Sequence, residues 1–224
     1  MKSKPITIAI DGPAAAGKST VARLLAKKLN FTYIDTGAMY RAFTLKALKH
    51  KIDLTDSVNL ANLLQNTKIE LKNNGDNQLV YLDGEDVTLE IRTEQVSNNV
   101  SVVAQHEDIR KIMVHQQQEL AKNESVVMDG RDIGTHVLPK ATCKFFLIAS
   151  VEERARRRHE ENLNKGFSSN LDEIKKQIEK RDLLDRERKA SPLVKAEDAI
   201  EIDTTNLTIE EVVEKMHDII IKYM

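Results

Sequence analysis

Across 224 residues, 34 basic side chains almost cancel 35 acidic ones, which removes the global positive field of a nucleic-acid or membrane-surface binder. A chain of this length buries about 70% of its unfolded surface, enough for one main core with at most a small inserted unit, so large multidomain schemes are excluded. The lone Cys143 cannot form an internal disulfide and reads as a buried structural thiol in a reducing compartment. The six His residues show no metal-ligand spacing.

The first apolar run, at 6–10, stops at Asp11, far short of a signal-peptide core or a membrane span. A cytoplasmic monomer without membrane or nucleic-acid partners is the expectation. That run reads as a buried strand, and it leads into Gly12-Pro13-Ala14-Ala15-Ala16-Gly17-Lys18-Ser19-Thr20. An amphipathic helix follows, with Val21, Leu24, Leu25 and Leu29 on one face. In a strand, loop and helix of this kind, the two glycines let backbone N–H groups turn inward around a triphosphate. Lys18 reaches the outer phosphates and the Ser19 hydroxyl can ligate Mg²⁺. A plain Gly-rich turn is the competing reading.

A second short strand at 33–34 runs into Asp35-Thr36-Gly37-Ala38-Met39-Tyr40-Arg41, whose polar groups emerge at the carboxyl edge of a parallel sheet, where such folds bind ligands. Arg41 can hold a second phosphate there, or it is a solvated arginine starting a helix. Residues 66–90 change the rhythm. Segments 68–71 and 79–82 alternate polar and apolar around Asn73-Asn74-Gly75-Asp76, a β-hairpin with one solvated face. A further tight turn at Asp83-Gly84 assigns it to a small insert.

A strand at 126–128 delivers Asp129 to the same edge, where a Mg²⁺-associated carboxylate belongs, and leaves Arg131 and Asp132 to meet a substrate. A structural Asp-Gly turn is the alternative. No Asn-Lys-x-Asp motif marks a GTPase. Beyond a strand at 145–148, Arg154, Arg156, Arg157 and Arg158 crowd together, and helical spacing puts Arg154, Arg157 and Arg158 on one face. A mobile lid ending at a Lys165-Gly166 hinge fits them. So does a solvated basic face neutralised by Glu160 and Glu161. An RNA-binding patch lacks the aromatics that base stacking needs.

In the helix at 171–188, Leu171, Ile174 and Ile178 define an inward stripe whose rhythm continues through Arg181, Asp185 and Arg188. The stripe turns from apolar to charged, as in a helix that ends beside a polar cleft; ion pairs on a wet surface are the plainer account. A strand at 199–202 precedes a capping box, Thr208 with Glu211. It opens a last helix with Ile209, Val212, Val213, Met216, Ile219, Ile220 and Tyr223 on one face. Alternating strands and helices give an α/β fold, a doubly wound parallel sheet of about five strands.

Taken together, the phosphate loop, DTGAMYR at 35–41, DGEDVT at 83–88, DGRDIG at 129–134, the arginines of 154–158 and RDLLDRER at 181–188 resemble the bacterial cytidylate kinases, essentially end to end. These are nucleoside monophosphate kinases built on a phosphate-loop core. The resemblance implies transfer of the ATP γ-phosphate to CMP or dCMP, with Mg²⁺ accompanying ATP. It divides a single domain, 1–224, into a core, a monophosphate-binding insert at 62–104 and a helical lid at 153–170.

By the same resemblance, Gly12 to Thr20 cradle ATP, Ser19 and Asp129 hold the metal, and Lys18, Arg131, Arg157 and Arg158 are the catalytic cations. Many such kinases have Lys-Gly-Thr where this chain has Lys18-Ser19-Thr20, so Thr20 is the other candidate hydroxyl. Arg41 and Arg131 look like clamps on the CMP phosphate, joined by Thr36. Ser101, Arg110, Asp132 and Arg188 look like cytosine readers, and Arg181 and Asp185 like sugar-side contacts. The alternatives are a kinase for another small acceptor such as UMP, or a nucleotide-binding regulator or RNA-binding protein.

Overall fold

The computed structural model describes residues 5–224 except 76, 165 and 167. The chain begins with β1 (Thr7–Asp11), α1 (Lys18–Leu29), β2 (Thr32–Asp35) and α2 (Thr36–Lys49). It continues through α3 (Ser57–Gln65), β3 (Ile69–Asn74), β4 (Asn77–Leu82), β5 (Glu85–Asp86), α4 (Glu94–Val103) and α5 (Glu107–Leu120). The second half holds β6 (Val126–Asp129), β7 (Cys143–Ile148), α6 (Val151–Asn164), α7 (Leu171–Glu187), β8 (Ile200–Asp203) and α8 (Ile209–Ile221).

Five strands form one parallel sheet in the order β2-β6-β1-β7-β8. Their β-branched and aromatic residues are buried on both faces, the pattern of a sheet covered by helices on each side. On one face, Ile8, Ile10, Val127, Phe145 and Leu147 pack with Val21, Leu25, Val212 and Met216 of α1 and α8. On the other, Ala9, Ile34, Val126 and Met128 meet Ala121, Ile133 and Val137. Register places Asp35 and Asp129 side by side at the carboxyl ends of β2 and β6, with Ile10 opposite Asp129 on β1. All three strand ends therefore open onto the same edge.

The hairpin of β3 and β4 forms as its alternation predicts and gains β5 as a third strand; Asp76 of its turn lies outside the described residues. Val80 and Leu82 rest on Ala38, Ala42 and Leu45 of α2. The opposite face of α2, with Met39, Tyr40 and Phe43, packs against α3, α4 and α5. α2 thus joins the strand-end edge to the insert. The capping box of α8 is present as read, with Thr208 and Glu211 bonded reciprocally at 3.2 and 2.8 Å.

Several expected faces are narrower than the periodicity implied. Leu24 is exposed, because α1 approaches the sheet through the small residues Ala22 and Ala26 beside Val21 and Leu25. Tyr223 lies past the last turn of α8, where helical spacing no longer applies, and Ile209 is exposed in the first turn. Leu171 is exposed as well, since α7 meets α6 only from Ile174 and Ile178 onward. Lys165 of the expected hinge is outside the described residues.

Candidate active site

Between β1 and α1 the phosphate loop runs beneath the strand-end edge. Gly12 has φ +146°, and a Cβ there would sit 2.1 Å from the Leu147 carbonyl oxygen of the neighbouring strand, so only glycine fits. Gly17, also left-handed, precedes α1, whose first N–H groups have no intrahelical acceptor and face an incoming anion. Lys18 is buried and donates to the Pro13 carbonyl at 2.6 Å. Burial, and after it Arg131, hold its ammonium well below the usual lysine range. Anchoring the far side, Asp11 accepts the backbone N–H of Ile133 and Gly134 at 2.8 and 2.7 Å, yet burial pushes its carboxyl up to about 6.

Asp129 is fully enclosed and accepts from the Ser19 hydroxyl at 2.9 Å and the Tyr33 hydroxyl at 2.8 Å. Burial first, then the adjacent Asp35 carboxylate, raises it to about 6. A buried acid pushed up by another acid, with the Ser19 hydroxyl on one oxygen and the Tyr33 hydroxyl on the other, is a donor set suited to a hard divalent cation. The residues present therefore fit Mg²⁺, through Ser19 and Asp129 as expected; no hydrogen bond ties Thr20 to Asp129. Thr36 donates to the Asp129 carbonyl at 2.7 Å. A Cβ on Gly130 would lie 2.7 Å from that same hydroxyl oxygen, which makes the strand-end crossing dependent on glycine.

Arg41 pairs with Asp35 at 2.9 Å, and its Nε is buried without a hydrogen-bond partner. Arg131 donates through Nε to Asp185 at 2.8 Å. Burial, then repulsion from Arg131 and also from Arg41 and Arg158, lowers Arg181 to about 10. Lys18, Arg41, Arg131, Arg158 and Arg181 thus converge from five separate segments. Such concentrated positive charge in a shielded site is compensated by an anion.

A second compartment lies beside it. Arg110 makes a short ion pair with Asp132, both fully buried, and its guanidinium stands 5.5 Å from the Tyr40 ring centroid. Arg188 lies 3.7 Å from both Asp132 and Asp185, and its Nη2 is buried without a hydrogen bond. Two guanidinium groups, one with spare donor capacity, thus surround a single buried acid. Ser101 sits half-buried on α4, and no hydrogen bond links it to this group.

Arg154, Arg157 and Arg158, expected on one face of α6, do not act together. Arg154 is buried in internal contacts, and Arg156 pairs with Glu153 at 2.7 Å and Glu160 at 2.5 Å. Arg157 donates to Thr204 and Glu153 and lies beside Gly17, whereas Arg158 lies 3.7 Å from Glu161 and also contributes to lowering Arg181. Tyr33, Asp35, Tyr40 and Asp182 escaped the sequence reading. Asp182 was within reach of it, because it follows Ile178 by four residues on the inward stripe.

The cytidylate kinase family model matches residues 8–222. The chain belongs to the cytidylate kinase family. A cytidylate kinase of Bacillus anthracis (strain CDC 684 / NRRL 3495) is 59% identical over 218 residues, 97% of each chain. One of Bacillus cereus (strain ATCC 10987 / NRS 248) is 59% identical over 97% of this chain and 96% of its own. Among solved structures, a gluconokinase from Sinorhizobium meliloti 1021 aligns over 94% of this chain and 89% of its own, with 15% identity and a TM-score of 0.49. Family membership spans the core, the β3–β5 sheet and the α6–α7 helices alike.

Proposed function

We infer that the chain moves the γ-phosphate of ATP to CMP or dCMP, giving ADP and CDP or dCDP. The observation that carries this reading is the buried Arg110–Asp132 pair with Arg188, opening on the same cleft as the phosphate loop. A carboxylate such as Asp132 accepts from the exocyclic amine of cytosine and meets a carbonyl in uracil. Buried groups left unpaired by the wrong base reject it strongly. Pairing of the α6 arginines with acids and backbone, together with the family match, argues against the RNA-binding alternative.

The acceptor phosphate is largely dianionic at neutral pH, so no general base is needed and catalysis is positioning and charge neutralisation. Arg41 and Arg131, helped by Thr36, hold the attacking oxygen, and Asp185 fixes Arg131 at 2.8 Å. Lys18 and Arg158 face the transferring group, Arg181 with Asp185 lies on the sugar side of the acceptor, and Arg157 reaches the donor side beside Gly17. Mg²⁺ held through Ser19 and Asp129 supplies further neutralisation of the ATP phosphates. Segments 62–104 and 153–170 serve as the monophosphate-binding insert and the lid, whose closure excludes water. No helix among the described residues is long and apolar enough to cross a membrane, and the free, buried Cys143 suits a reducing compartment such as the cytoplasm.

A coupled assay of ADP formation over a panel of acceptors tests the reading. CMP and dCMP turn over well, UMP poorly, and AMP and GMP not at all. Comparable efficiency with AMP overturns the cytosine assignment.

A further inference from the structure

Arg154 stands on α6 one turn before the lid arginines, but its side chain is only 3% exposed. Its guanidinium binds three separate segments. Nε donates to the Ala149 carbonyl at 3.0 Å, Nη1 to the Ala14 carbonyl at 3.0 Å, and Nη2 pairs with Asp182 at 2.7 Å. Ala14 belongs to the phosphate loop. Asp182 belongs to α7, next to Arg181 and three residues before Asp185. Ala15, the following loop residue, packs onto Ala155, Ile174 and Ile178 where α6 meets α7. Asp182 is itself buried, and its second oxygen accepts no hydrogen bond, so the carboxylate is committed to Arg154.

A buried ion pair in apolar surroundings holds two helices together no better than a well-packed apolar pair. What the planar fork adds is direction, because its donors point along fixed angles at a carbonyl and a carboxylate together. Here those angles connect the loop that holds the donor with the helix that presents Arg181, Asp185 and Arg188 to the acceptor. We propose that Arg154 and Asp182 are a positioning pair that fixes the depth of α7 against the phosphate loop and so sets the in-line distance between the two substrates. Arg154 borders the cavity lined by Pro13, Phe146, Ala149 and Leu193, but its guanidinium is engaged by the three contacts to Ala149, Ala14 and Asp182. The inference rests on the kinase reading above, since misregistration of two bound substrates is felt in turnover before it is felt in the binding of either one.

The test is the full-length double variant Arg154→Met with Asp182→Leu, which replaces the strut by apolar side chains. Turnover, both KM values, a thermal melt and direct binding of ATP alone and CMP alone are measured. The expected result is a kcat lower by at least about tenfold, with each separate affinity within about threefold and the melt within a few degrees of the parent. Ile178→Val loosens the same helix contact without touching the strut and serves as the control. A double variant with kcat within about twofold of the parent, or an Ile178→Val variant with the same kcat loss, overturns the proposal. Should the double variant fail to fold, the near-isosteric Asp182→Asn is read the same way: lost turnover at preserved affinities supports the pair, and preserved turnover overturns it. A parent enzyme inactive toward CMP would instead defeat the kinase reading.

Discussion

Asp129 carries the sharpest conflict between stability and use in this molecule. It lies beside Asp35 in register, fully buried, and burial followed by that neighbour lifts its carboxyl to about 6. A folded-state pKa above the unfolded value means that the folded protein binds the proton more tightly. The associated stability is complete below about pH 4 and is lost as pH rises through about 6. Asp129→Asn has no such titration, so the stability of the parent relative to the variant should fall by about 2 to 3 kcal/mol between pH 4 and pH 7. At neutral pH the variant should melt at or above the parent while losing most of its turnover. Urea unfolding of both proteins across that range reads the difference directly; a flat difference would show that Asp129 is compensated in the folded state. Asp11 titrates in the same window and cancels, being present in both proteins.

α7 shows how far a single helix could be read from its spacing. Ile174 and Ile178 are buried as expected, and the continuation through Asp185 and Arg188 is buried too, which excludes ion pairs on a wet surface. Spacing four residues after Ile178 marks Asp182 as inward, but only the position of Arg154 opposite it says why an acid belongs there. α3, α4 and α5 were passed over. In α4 the inward residues are Val96, Val100 and Val103, whose β-branched side chains mask a helical period, and α5 is so polar that Ile109 and Met113 alone mark its buried face. The Arg188→Met variant tests the end of α7. Asp132 keeps Arg110 and Asp185 keeps Arg131 when Arg188 is removed, so both acids retain a partner and the melt should move little. The KM for CMP should rise at least about tenfold, equivalent to about 1.4 kcal/mol, while that for ATP stays constant. An unchanged CMP constant removes Arg188 from the base pocket.

At the scale of the whole molecule, the five strands were legible because uninterrupted apolar runs ending in Asp11, Asp35 and Asp129 leave little choice but a parallel sheet with a charged edge. Spacing by itself could not supply the convergence of cations, which only the family resemblance implied, since Lys18, Arg41, Arg131, Arg158 and Arg181 are spread over more than half of the chain. A net charge of −1 conceals that local excess. Folding must therefore bring like charges together, and part of the stability available from the core is offset by their repulsion. A multivalent anion should recover it. With a dissociation constant of about 1 mM, 10 mM inorganic phosphate adds about 1.4 kcal/mol, or about 2 to 4 °C in Tm for a chain of this size. Sodium chloride at equal ionic strength should add clearly less, because screening is weak inside a shielded cleft. Arg181→Met should melt no lower than the parent without phosphate, its removal relieving the burial cost and, after it, the repulsion from Arg131 that together hold Arg181 at about 10, and it should lose most of the phosphate increment. Equal shifts with phosphate and chloride, or an undiminished phosphate increment in the variant, would mean that the five cations do not form a common anion site.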